Sequence, residues 1–285
     1  MYTRLLVLLQ GSAFDQPAVQ RALTLSSEDT EILLLDAVYE PALEGYMGNT
    51  EIYAPLRNRF VRDRAAAAKD LVKSVKSCGA RCRADVRWAR LSPALLQDVI
   101  AVEHPDIVLM SPSTGRGWSH GDWQLVLTCP APILVVQSKG TEKFRHVVAA
   151  VDPFHAHAKP AELDAAIAAA AKTLGAQCGA PLTVLHCRSG ADAGAANGSL
   201  DKRRREVMAN FLTDARLPQE AASLVDGEPD RVLEGLVNSG RADVIVMGAL
   251  ARGRFLELIV GHTAERVLQH GTGDVLVVKP AQTHA

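Results

Sequence analysis

The chain has 285 residues, 48% apolar and 22% charged, with a formal net charge of −1. That balance supports a packed core, and it excludes a disordered or strongly solvating chain. No global basic field argues for nucleic acid, and the apolar runs fall far short of the roughly 20 residues a membrane helix needs. The opening stretch MYTRLLVLLQGS carries one Arg and a short apolar run. Gln10 cuts that run and no small-residue cleavage site follows, so it reads as a first strand rather than a signal peptide. Five dispersed cysteines (Cys78, Cys82, Cys129, Cys178, Cys187) are an odd number and too few for a disulfide framework, which suggests a reducing cytoplasm.

Short Val/Ile/Leu runs alternate with helix-length segments. In the first half the strand candidates are Leu5–Leu9, Ile32–Ala37, Ala84–Trp88, Ile107–Met110 and Ile133–Val136, with helices over Pro17–Leu25, Leu56–Ser77 and Ala94–Glu103. In the second half they are Val147–Val151, Leu182–Cys187, Ser223–Val225, Val244–Met247 and Val275–Val278, with helices over Ala161–Cys178, Leu200–Ala215, Arg231–Ser239 and Thr263–His270. Buried apolar strands alternating with helices predict βα units and a parallel sheet covered on both faces.

The halves are copies of one another. Leu5–Gln10 aligns with Val147–Asp152, an offset of 142. Ala84–Ser111 aligns without a gap with Ala221–Gly248 at an offset of 137, and Pro132–Ser138 aligns with Asp274–Pro280 back at 142. The first copy therefore lacks five residues between its fourth and fifth strands, where the second carries a glycine-bearing loop. A polar linker near Gln137–Phe144 separates domains expected at residues 1–139 and 140–285.

That loop, Gly248 to Thr263, joins an apolar strand to a helix start, the arrangement that offers backbone N–H groups to a phosphate. Together with VVAAVDP (147–153), LTVLHC (182–187), Gly227, ADVIVMG (242–248), GHTAERVL (261–268) and DVLVVKP (274–280), it resembles the universal stress protein family, tandem two-domain type. The resemblance implies an α/β fold of two tandem flavodoxin-like, doubly wound domains. Each would have a five-stranded parallel sheet of order 3-2-1-4-5, with ligands beyond the carboxyl ends of the strands. It also implies a cytoplasmic stress-response factor that binds an adenine nucleotide, ATP, in its C-terminal domain. The family loop is G-x2-G-x9-G-[S/T]. Gly248 and Gly261 keep its spacing, Ala251 replaces its middle glycine, and His262 then Thr263 follow.

Carried over residue by residue, the nucleotide-binding set is Asp152 at the ribose or adenine end, Cys187 at adenine through its backbone, and Gly248, Ala251, Gly261, His262 and Thr263 around the phosphates. Arg252 and Arg254 either add charge-assisted phosphate contacts or are solvated surface, and Gly253 can take over the turn that Ala251 makes harder. Asp152 alternatively caps the turn before Pro153. His155 and His157 form an H-x-H in which spacing specifies no third zinc ligand, so no metal site is assigned. In the first copy, Ser111–Cys129 has glycines and two tryptophans, but its shortness argues against a phosphate cradle. The Glu40–Leu56 hook is a lid or an ordinary connection.

Three functions follow: a nucleotide-binding stress protein, a slow metal-dependent ATPase using Asp152 or His262 with a divalent ion such as Mg, or a nucleotide-free interaction protein. The last includes a binder of a larger metabolite through the N-terminal domain. No catalytic residue is assigned, since no water-activating base is identifiable. The edge strands PILVVQS and DVLVVKP invite pairing, and a homodimer is expected.

Overall fold

The computed structural model describes all residues except 12, 113–117, 155–160, 189–197, 250–261 and 281–285. The chain divides into two compact units. One comprises Tyr2–Ala131 with Lys139–Glu142, the other Pro132–Ser138 with Lys143–Ala285.

The first unit contains β1 (Arg4–Leu8), α1 (Pro17–Leu25), β2 (Glu31–Val38), α2 (Thr50–Ser77), β3 (Arg81–Trp88), α3 (Pro93–Glu103), β4 (Ile107–Met110) and α4 (His120–Thr128). Its strands lie β3-β2-β1-β4, all parallel. The central strands are apolar and almost wholly buried because helices cover a parallel sheet on both faces. The helices differ from the sequence expectation in two main ways. α2 begins six residues earlier, at Thr50, where the Asn49 side chain accepts the Ile52 N–H at 3.3 Å. Pro55 lies inside it, near enough to the start that one missing N–H does not end the helix. α4 was not expected at all.

The second unit contains β5 (Ile133–Val135), β6 (Val147–Ala150), α5 (Ala161–Cys178), β7 (Leu182–Arg188), α6 (Gly198–Asp214), β8 (Ala222–Asp226), α7 (Pro229–Asn238), β9 (Val244–Gly248), α8 (His262–His270) and β10 (Asp274–Val278). The parallel part is ordered β8-β7-β6-β9-β10, which is 3-2-1-4-5 in the numbering of the repeat. β5 adds to its edge by antiparallel pairing with β10, centred on Leu134 opposite Leu276. Those two leucines are each other's counterparts at the repeat offset of 142.

Strand register tests the duplication directly. Leu5 stands beside Ile32 and Ile107, and Val147 stands beside Leu182 and Val244. The third strands correct the gapless alignment: Leu34 faces Ala84, while its counterpart Val184 faces Ala222 rather than Ala221. One residue is therefore gained between the third and fourth strands of the first copy. An aspartate clamp also repeats. Asp106 Oδ2 accepts the Thr3 and Arg4 N–H groups at 2.6 and 2.9 Å, and Asp243 Oδ2 accepts those of Arg145 and His146 at the same two distances. Each ties the entry of a fourth strand to the entry of a first.

Candidate functional site

In an open α/β sheet the crevice lies where the strand order reverses, here between β6 and β9. β6 gives its last ladder bond from Val151 N–H to Leu185 O, 3.0 Å, and the next residue is Asp152. The Asp152 N–H donates to Asp164 Oδ1 at 3.0 Å. Asp164 stands in the first turn of α5 and is 2% exposed. Buried His186, on β7, places Nδ1 3.2 Å from Val151 O and 3.6 Å from Asp152 Oδ1, with the Phe154 ring 4.5 Å from its own.

β7 runs past the end of β6. Leu185 turns its carbonyl towards β6, while Arg188 turns its carbonyl towards β8 and accepts the Gly227 N–H at 2.9 Å. Successive residues of a strand present their backbone groups to opposite neighbours. Cys187 therefore directs its N–H and C=O to the side that β6 has left, where a planar heterocycle with one donor and one acceptor edge can meet it. Burial pushes its thiol up to about 11, so at neutral pH it is protonated and a poor nucleophile.

Gly248 ends β9. A Cβ there would lie 2.6 Å from Leu163 Cδ2 on α5, so any side chain would force Leu163 to shift, and the glycine serves helix-on-sheet packing. This requirement is separate from any approach to phosphate.

α8 opens with His262, whose side chain is exposed and whose Nδ1 lies 4.0 Å from Asp230 Oδ2. Asp230, nearly buried on α7, also meets Arg266 at 3.3 Å. Thr263 is the second residue of the helix. Ala251, Arg252, Gly253, Arg254 and Gly261, and the H-x-H residues His155 and His157, lie outside the described residues. Among the described residues no group of three or more His, Cys, Asp or Glu side chains is arranged to hold a metal ion.

The first copy shows what a closed version looks like. α4 has nine residues, as α8 does, and starts 142 positions earlier. The Ser119 hydroxyl accepts the Asp122 N–H at 3.1 Å, and the Asp122 carboxylate accepts the Ser119 N–H at 2.9 Å. This capping box satisfies the helix's own donors and puts a negative charge at its start. The counterparts of Ser119 and Asp122 at that offset are Gly261 and Ala264, which have no polar side chain to offer. Gln10, the counterpart of Asp152, donates its side-chain amide to the carbonyl of Ser111, the counterpart of Gly248. A carboxylate cannot make that donation. Asp36, in register with His186, is held by Arg64 through two bonds of 2.9 and 2.6 Å.

Sequence reasoning missed Asp164, the Asp36–Arg64 pair and the closure of α4. Only the last had a local signal, Ser119-x-x-Asp122 before an apolar run.

Comparison with known proteins bears on the same halves. Residues 143–279 match the Universal stress protein family. Curated relatives span nearly the whole chain. Universal stress protein E of Escherichia coli K12 is 23% identical, covering 99% of this chain and 95% of the relative. That of Photorhabdus laumondii is 24% identical, covering 98% and 95%. Among solved structures, a functionally unknown protein of Pseudomonas aeruginosa PAO1 superimposes with a TM-score of 0.73 at 21% identity, covering 98% of this chain and 93% of that one. A universal stress protein of Archaeoglobus fulgidus gives 0.69 at 14%, covering 97% and 98%. These structural likenesses are of fold. Together with the sheet order, they accompany a match of residues 143–279 to the Universal stress protein family and similarity to proteins named universal stress protein E over nearly the full length.

Proposed function

We propose that the second unit binds an adenine nucleotide, ATP, at the carboxyl ends of its strands, and that the chain acts as a cytoplasmic stress-response factor. The observation that carries this reading is the contrast between α4 and α8. One copy seals its helix start with Ser119 and Asp122, while the other has Gly261 and Ala264 at the matching sequence positions, where neither side chain can accept from the helix N–H groups. Cys187 would meet the adenine edge through its backbone, Asp152 the ribose hydroxyls, and the 248–263 connection with His262 and Thr263 the phosphates. Ala251, Arg252 and Gly253 belong to that connection. A divalent ion such as Mg would arrive with the nucleotide. The duplicated units, 1–139 and 140–285, are proposed as the inherited domains, with the first no longer a nucleotide site, and the chain as a homodimer.

Calorimetry with ATP, with and without Mg, tests the reading, with Gly261→Trp as the blocked control. Saturable heat in the wild type and none in the variant is expected. No heat at millimolar ATP would overturn it. Any hydrolysis is expected to be slow. Turnover that survives loss of both Asp152 and His262 would remove them from an enzymatic role.

A second reading, a nucleotide-free interaction protein, is favoured by one specific observation. Gly248 is accounted for by Leu163 alone. No saturable ATP binding by the wild-type chain, with or without Mg, would leave this second reading standing.

A further inference from the structure

We infer that Asp164 is a positioning residue that sets the direction of the Asp152 carboxylate at the mouth of the site. The inference rests on the nucleotide reading and adds to it a residue outside the glycine loop. The β6 ladder bonds run to Val151, and the next residue is Asp152. Its N–H is held by a side chain, Asp164 Oδ1, at 3.0 Å. That side chain is 2% exposed and comes from the first turn of α5. α5 is in turn seated on the sheet by Leu163, in contact with the position of Gly248.

A carboxylate buried this deeply is costly unless it is bonded, and a bond to a charged acceptor is stronger than a neutral one. Asp164 therefore anchors the peptide group that leads into Asp152 to the first turn of α5. His186 Nδ1, 3.6 Å from Asp152 Oδ1, limits the same carboxylate from the other flank. A carboxylate fixed in this way keeps one orientation at the carboxyl end of β6. That suits a vicinal diol, whose two hydroxyls donate together. The expected consequence is selection for ribonucleotides over 2′-deoxyribonucleotides.

The experiment compares wild type, Asp164→Asn and Asp164→Leu. Asn keeps an oxygen acceptor and the shape, whereas Leu keeps only the bulk. The first arm needs no ligand: amide hydrogen exchange at Asp152. Protection is expected in wild type and Asp164→Asn, with exchange about a hundredfold faster in Asp164→Leu while the core amides of β6 and β9 keep theirs. Equal protection at Asp152 in all three would overturn the positioning role.

The second arm titrates each protein with ATP and with 2′-deoxy-ATP. Wild type and Asp164→Asn are expected to prefer ATP by about tenfold, and Asp164→Leu to lose that preference with 2′-deoxy-ATP affinity little changed. A uniform loss for both nucleotides in Asp164→Leu would overturn the selective role and leave a structural one. If wild type binds neither nucleotide, the nucleotide reading falls and takes the diol selection with it, while the exchange arm still decides whether Asp164 holds Asp152.

Discussion

The strand ends of the two units follow one plan and differ in how their polar side chains are used. In the first, Gln10 is tied to Ser111, Arg64 grips Asp36, and Ser119 with Asp122 closes the start of α4. In the second, the matching positions are Asp152, Gly248, His186, Gly261 and Ala264. The closed copy spends its polar side chains on its own backbone and on each other. The second copy has different side chains at the matching positions, and its polar groups at the β6 end, Asp152, Asp164 and His186, gather beside a strand edge that β6 has left. The hydrogen bonds of the first unit are made within its own strand ends and contribute to its stability.

The largest expected effect tests the closed side. Arg64→Leu strands Asp36, which is 2% exposed, and should cost about 3–5 kcal/mol in chemical denaturation. The double variant Asp36→Leu/Arg64→Leu should recover much of that. A loss under about 1 kcal/mol in the single variant would mean that the pair closes nothing. On the open side, Gly248→Ala should cost about 1–3 kcal/mol through collision with Leu163, and adding Leu163→Ala should restore most of it. Additive losses in the double variant would show that the glycine serves something other than α5.

Exchanging the closures is the sharpest comparison. Gly261→Ser with Ala264→Asp gives α8 the capping box of α4, and should weaken ATP binding about tenfold while stabilising the unit by about 1 kcal/mol. Unchanged affinity would separate the helix start from the phosphates. Smallest is the clamp shared by both copies. Burial alone would raise the Asp106 carboxyl, but the Thr3 and Arg4 N–H groups outweigh it and hold the group below its usual range. Its folded value is depressed, so its stabilisation is present above the unfolded value of about 3.9 and is lost as pH falls through the folded one. Asp106→Asn should therefore narrow its stability gap from wild type as pH drops below about 4. A gap that stays constant would remove the clamp's titration from the account.

The fold was legible because it is written in buried strands. Ile107–Met110 and Val244–Met247 are continuous apolar runs, and their repetition at fixed offsets marks a duplication without any structure. Helix boundaries were less legible. α4 was obscured because its glycine- and tryptophan-containing approach looks like loop, and its capping signal spans only four residues. The site was half legible. Gly248, Asp152 and Cys187 follow from position at strand ends. Asp164 does not, since nothing local distinguishes a buried acid in a helix's first turn from a solvated one until the strand whose backbone it holds is placed beside it. The one-residue slip between the third strands was invisible for a related reason: both alignments set an alanine, Ala221 or Ala222, against Ala84, and only the ladder counts residues.

The antiparallel pair of β5 and β10 has a practical consequence. A boundary drawn at the polar linker, near residue 139, would yield a C-terminal fragment without Ile133–Val135. β10 would then keep its row of valines and leucines but lose the backbone partner along its outer edge. Such a fragment should self-associate through that edge, and a fragment beginning at Pro132 should remain monomeric. The two copies can be told apart by sequence at the linker, but they cannot be cut apart there.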